Sequence, residues 1–134
     1  MGEVTSTQLD FFVGEPEKLA IYLGLHKILL DIAPRAEIRV HKTAISFCAP
    51  RPFAYISLPF RKRDKRWPEH HLVLSFSAQA PPAHPRVIQS TRIRRQQYTI
   101  HAVVLLPDLL DGNLTGLVAQ SQALRNPLKP VERL

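Results

Sequence analysis

Residues 37–59, EIRVHKTAISFCAPRPFAYISLP, contain the change of period that decides the fold. Ile38 and Val40 alternate with Arg39 and His41, Ile45 shares a face with Phe47, and Ala54, Ile56, Leu58 and Phe60 stay in phase. Apolar residues at every second position describe strands with one face toward a core. The breaks between these strands, HKT and APRP, are too short to hold a helix. Neighbouring strands must therefore return on one another as antiparallel hairpins.

Working downstream, HHLVLSFSA (residues 70–78) keeps Leu72, Leu74 and Phe76 in phase. After the proline-rich segment QAPPAHP (79–85), RVIQSTRIR and QYTIHAVVLL read as two more strands, the second with Tyr98, Ile100, Ala102 and Val104 in register. Phe47, Ile56, Leu74 and Ile100 are the expected core of the sheet. Upstream, STQLDFFVGEPEKLAIYLGLHKILLDIAP (6–34) recurs at three and four residues instead. Ser6 or Thr7 can cap a first short turn, Gly14 breaks it, and Pro16 suits the first position of a long helix. Leu19, Tyr22, Leu23, Leu25, Ile28, Leu29 and Ile32 form its apolar stripe, and Pro34 ends it. A last helix over 113–125 carries Leu114, Leu117, Val118 and Leu124. The expected architecture is a single α+β domain spanning 1–134. It has helices in 5–33, an antiparallel meander of five or six strands in 36–106, the C-terminal helix at 113–125 and an irregular tail at 126–134. Both terminal helices pack on one face of the sheet, which leaves the other open.

The length of 134 residues suits one hydrophobic core. A lone cysteine, Cys48, rules out an internal disulfide framework and fits a reducing, cytoplasmic setting. No apolar run approaches a membrane span, and the first residues lack the features of a signal peptide. The formal net charge of +7 is unevenly placed. Arg51, Arg61, Lys62, Arg63, Lys65 and Arg66 face only Asp64 in their segment, and Arg86, Arg92, Arg94 and Arg95 sit among no acids at all. The first cluster also holds Trp67, a surface on which a base could stack. Arg61, Lys62, Arg63, Lys65, Arg66 and Trp67, with Arg92, Arg94 and Arg95, are thus the candidate contacts to a phosphate backbone. Two such tips at one end of a sheet would straddle it. The plain alternative is a pair of solvated hairpin loops.

Enzymatic motifs are missing or incomplete. His70 and His71 are adjacent and would point to opposite faces of a strand, and Cys48 has no partner at ligand spacing, so no metal site is expected. His41-Lys42-Thr43 fits half of a two-histidine phosphoesterase pattern, but His71-Leu72-Val73 and His101-Ala102-Val103 lack the hydroxyl residue. There is no glycine-rich phosphate loop and no nucleophile elbow. The acids cluster in the helices, away from any pairing on the sheet. No cofactor is implied.

The order of HKTAISFCAPRPFAYISLP, LVLSFSA and PRVIQSTRIRRQQYTIHAVVLL resembles an uncharacterised bacterial domain family (the domain of unknown function 5655 type), over residues from about 9 to 125. The shared pattern falls on Lys42, Thr43, Ile45 and Phe47, on Arg51, Phe53 and Ala54, and on Tyr98 and His101. This chain departs from it at Gln97, where the family often has a basic residue, and at Ile100, where it commonly has a second histidine. The resemblance implies the α+β fold and a small anion site built from Lys42, Arg51 and His101, and points toward nucleic acid. The functional expectation is a non-enzymatic binding module for nucleic acid or another phosphate-bearing anion. A protein-interaction or homo-oligomerisation domain, a homodimer among the options, is the alternative, and a phosphoester-processing enzyme the third.

Overall fold

The computed structural model describes residues 4–59 and 70–126. Two helices, α1 (Ser6–Phe11) and α2 (Pro16–Ile32), precede six strands: β1 (Glu37–Val40), β2 (Ile45–Cys48), β3 (Pro52–Ser57), β4 (Leu72–Ala78), β5 (Val87–Arg94) and β6 (Gln97–Val104). A 3-10 turn, Leu106–Leu110, leads into α3 (Gly112–Arg125). Every strand pairing is antiparallel, in the order β1-β2-β3-β4-β6-β5.

The strand phase is the expected one. Phe47, Ile56 and Ile100 are fully buried and Leu74 nearly so, in one core with Tyr22, Leu25 and Leu29 of α2 and Leu114 and Val118 of α3. The helices thus cover one face. Thr5, one residue before the expected caps, accepts the amide of Gln8 and starts α1. Gly14, at φ 77°, supplies the left-handed residue that separates α1 from α2. Pro16 opens α2 as expected. The buried stripe of α2 differs from the one read in the sequence: Lys18, Ile21, Tyr22, Leu25, His26 and Leu29 face inward, while Leu23 is exposed. An apolar leucine on the solvent side costs little, so hydropathy alone misplaced the stripe by part of a turn.

The last two strands change places with what a chain-order sheet would have. β6 returns beside β4, and β5 becomes an edge. The cause is the segment 79–86 with Pro81, Pro82 and Pro85, which no tight hairpin accepts. The eight residues from Gln79 to Arg86, with bends at Gln79 and Ala80 and a turn at Pro85 and Arg86, can reach at most about 26 Å. That matches the roughly 23 Å of the seven-residue β4, so β5 starts again at the end where β4 started. Arg86 and His84 fasten this crossing to the start of α3. Arg86 Nε donates to Asp108 at 2.7 Å, and His84 Nε2 lies 2.9 Å from Asp111.

The second face is less open than expected. Ser46, Cys48, Ser57, Val73, Ser75 and Val103 all belong to it and all are buried, while Tyr55 stays 39% exposed. No helix among the described residues is long and apolar enough to cross a membrane.

Candidate functional site

Strand direction sorts the polar residues between the two ends of the sheet. The upper end carries the β2–β3 turn, the β5–β6 turn and the last residues of β4. The lower end carries the β1–β2 turn, the departure of β3 and the arrival at β4. Arg94 stands opposite Gln97, and Arg95 and Gln96 make the turn itself, with Gln96 at φ 58°. Arg92, Arg94 and Arg95 are all exposed at the upper end, as is Arg51 in the β2–β3 turn. Arg61, Lys62, Arg63, Lys65, Arg66 and Trp67 lie outside the described residues. The strands that flank them end and begin at the lower end, about 20 Å along the strands from the β5–β6 turn. The two basic segments therefore do not leave the sheet from one end, contrary to the expectation of paired tips.

Two further arginines join the upper end. Arg35 sits just before β1, and Arg125 lies in the last turn of α3 with its Nε 3.3 Å from the carbonyl of Pro52. Among the described residues, none of Arg35, Arg51, Arg92, Arg94, Arg95 and Arg125 has a carboxylate partner. By contrast Lys18, Arg39 and Arg86 are paired to Glu15, Glu37 and Asp108. At the lower end Glu15 and Glu17 begin α2 and Asp108 and Asp111 precede α3, while Asp31 and Glu37 lie toward the upper end, Glu37 held by Arg39. Among the described residues the upper end thus has an excess of arginines over carboxylates that the lower end does not.

Lys42, Arg51 and His101 do not converge. Lys42 is in the β1–β2 turn and Arg51 in the β2–β3 turn, at opposite ends of β2, and His101 lies mid-strand in β6. The anion site implied for these three is not formed. His101 belongs to a different arrangement that the sequence reading missed. On the second face one register row runs Arg39, Ser46, Tyr55, Ser75, His101 and Gln89 across all six strands. Ser75 Oγ is 2.7 Å from His101 Nδ1, and Ser46 Oγ is 2.9 Å from His41 Nε2. Burial lowers the pKa of His101, so its neutral form is favoured. The signal for this row was one polar residue per strand in the outward phase, legible only once the register is known.

A serine hydroxyl against a neutral imidazole is the first element of a nucleophile, but a third group must orient the base and a cavity must admit substrate. Among the described residues no carboxylate is bonded to His101, and neither residue lines any of the five main hollows. The His84–Asp111 pair is equally occupied: His84 Nδ1 accepts the amide of Arg86, and Asp111 caps α3 by accepting the amides of Asn113 and Leu114. The hydrogen bond to His84 holds Asp111 below the usual carboxylate range. Cys48 is buried, with Sγ 3.7 Å from Ser46 Oγ, and fills space in the sheet. No cluster of His, Cys, Asp or Glu among the described residues could hold a metal ion.

What the upper end does contain is a cleft where β3 and β4 part. Ser121 of α3, fully buried, enters the gap, donating to the carbonyl of Phe53 at 2.7 Å and accepting the amide of Ser77 at 2.9 Å. One turn later the same helix delivers Arg125. Beside it are two adjoining hollows of about 230 and 280 Å³ that share Ser77, Gln97 and Arg125. The first is walled by Tyr55, Ile93 and Thr99, the second by Arg95, Gln96 and Gln79. Of the larger hollows elsewhere, the 600 Å³ groove between α3 and Pro81–Pro82 has no charged side chain, while those beside Arg35 and Glu37 and beside His84 and Asp111 each include a carboxylate. No family model, curated protein or solved structure matches this chain.

Proposed function

We propose that this domain is a non-enzymatic binding module for nucleic acid or another phosphate-bearing anion, and that the upper end of the sheet is its contact surface. The observation that carries the reading is the set of arginines at that end without carboxylate partners among the described residues, outnumbering Asp31 and Glu37, the acids near them. From β1 to β5 the sheet spans roughly 24 Å, five interstrand spacings of ~4.8 Å. Arg35, Arg51, Arg125 and the β5–β6 tip are distributed along it. Guanidinium groups spread over such a distance suit successive phosphates better than one small ion. The fold fixes the backbone positions that bear them, so that binding has to order only their side chains. Trp67 and its basic neighbours, outside the described residues, are a separate candidate contact.

The test is fluorescence anisotropy with mixed-sequence single-stranded and duplex oligonucleotides over a range of salt. Affinity should fall linearly on a log–log scale, by about 0.7 of a decade per decade of salt for each single-strand phosphate neutralised. The variant Arg92→Glu/Arg94→Glu/Arg95→Glu should bind far more weakly and lower that slope. A parallel variant, Arg61→Glu/Arg63→Glu/Arg66→Glu, measures the other segment. Undiminished binding in both variants would remove the basis of this reading.

A second reading, self-association, is favoured by one feature. β5 is an eight-residue edge strand that exposes Ile88 and Ile93. Its pairing with β6 is interrupted by two register shifts, and its exposed face bears arginines, both of which discourage strand addition. Sedimentation at low and high salt separates the readings, because apolar association survives salt and phosphate binding does not.

A further inference from the structure

We infer that the cleft between Tyr55, Gln97 and Arg125 takes one unstacked nucleotide of a single strand, its base in the inner hollow and its phosphate at the arginine mouth. This rests on the proposed function and narrows it to single-stranded ligands. The two hollows differ in chemistry along their common length. The inner one presents the exposed ring of Tyr55, the side chain of Ile93, itself 53% exposed, and the hydroxyl of Thr99. The Tyr55 ring on β3 offers a flat heterocycle a surface to stack on, with Ile93 of β5 as a further apolar contact across the hollow. A free phosphate or a duplex backbone would leave both unused. The outer hollow presents Arg95 and Arg125 with the amides of Gln79 and Gln96. Among the described residues Arg95 has no bonded partner and Arg125 uses only Nε, so the terminal nitrogens of both are available to an anion. Gln97 and Ser77 line both hollows, where the sugar of a nucleotide would lie. The inner hollow is small, about 230 Å³, which suits a single base. Among the described residues the cavity at the lower end, beside His84 and Asp111, carries a carboxylate that repels phosphate.

The experiment titrates the intact protein, followed by NMR, with a nucleoside 5′-monophosphate, the parent nucleoside, inorganic phosphate and a short single-stranded oligonucleotide. Expected is tighter binding of the monophosphate than of inorganic phosphate, by about fivefold or more, as base–aromatic stacking provides. Tyr55→Leu, which keeps the bulk at a partly exposed site, should erase that preference while leaving phosphate unchanged. Arg95→Gln, in an exposed turn, should weaken monophosphate and phosphate alike. Equal affinity for monophosphate and phosphate, or a preference that survives Tyr55→Leu, overturns the inference even if the oligonucleotide still binds in a salt-dependent way, and the proposed function then stands without it. Failure of the oligonucleotide to bind at all overturns both.

Discussion

Replacing Ser121 by Ala tests how the upper end is held together. The hydroxyl is fully buried and has two partners, the Phe53 carbonyl at 2.7 Å and the Ser77 amide at 2.9 Å. These backbone groups lie where β3 and β4 separate, so neither has a ladder partner to fall back on. Leaving a buried donor or acceptor unmade costs ~1–3 kcal/mol each. The Ser77 site is only partly buried and can admit water, which places the pair at about 2–4 kcal/mol. Alanine is the better helix former by about 0.5 kcal/mol, which offsets a small part. The expected net loss is therefore about 1.5–3.5 kcal/mol, read as a shift of the urea midpoint at unchanged slope. Thr115→Ala is the control: that hydroxyl returns only to the Asp111 carbonyl of its own helix, so the loss should stay below about 0.5 kcal/mol. Because Ser121 seats the turn that bears Arg125, the variant should also weaken anion binding at temperatures where it remains folded. A Ser121→Ala protein as stable as the parent would refute the claim that this hydroxyl joins helix to sheet.

Other outcomes follow from the same structure. Leu74→Ala, between Ile56 and Ala102 in the middle of the core, should cost roughly 2–5 kcal/mol in chemical denaturation, from lost burial and the cavity left behind. His26 is buried against Tyr22 and Phe47 with Nε2 unbonded, and burial lowers the pKa of both His26 and His101. The unfolded chain therefore binds protons first. Stability should be full above the ordinary histidine value of about 6.5 and fall as pH drops from there toward the lowered native values. His26→Leu should flatten the part of that profile due to His26, which denaturation midpoints at a series of pH values will register. Asp111, with its pKa lowered chiefly by His84, adds a second loss only in the carboxylate range below about pH 4, and His84→Ala should remove part of it. Gln96→Gly should raise stability by a few tenths to about 1 kcal/mol, since it relieves the left-handed backbone at φ 58° but also loosens the unfolded chain.

The sequence by itself determined the strands and their inward phase. Ile45, Phe47, Ile56, Leu74 and Ile100 alternate cleanly, and a shift of one residue would turn each of them to the other face. Pro16 and Gly14 likewise announced where α2 begins, because their backbone requirements are local. Tertiary structure decided everything that depends on which strands are neighbours. The proline-rich 79–86 segment was legible as a loop, but its length made β5 an edge and placed β6 against β4, and only that pairing sets Ser75 against His101. Chain direction, in the same way, separated Lys42 from Arg51 and gathered Arg51, Arg95 and Arg125, residues remote in sequence, at one end. Nothing in the sequence sets Ser121 apart from the other polar positions of α3. Its role comes from the gap between two strands more than forty residues upstream. Periodicity is a short-range property that residues carry with them, whereas a site is a meeting of elements, and the meeting is fixed by topology and register.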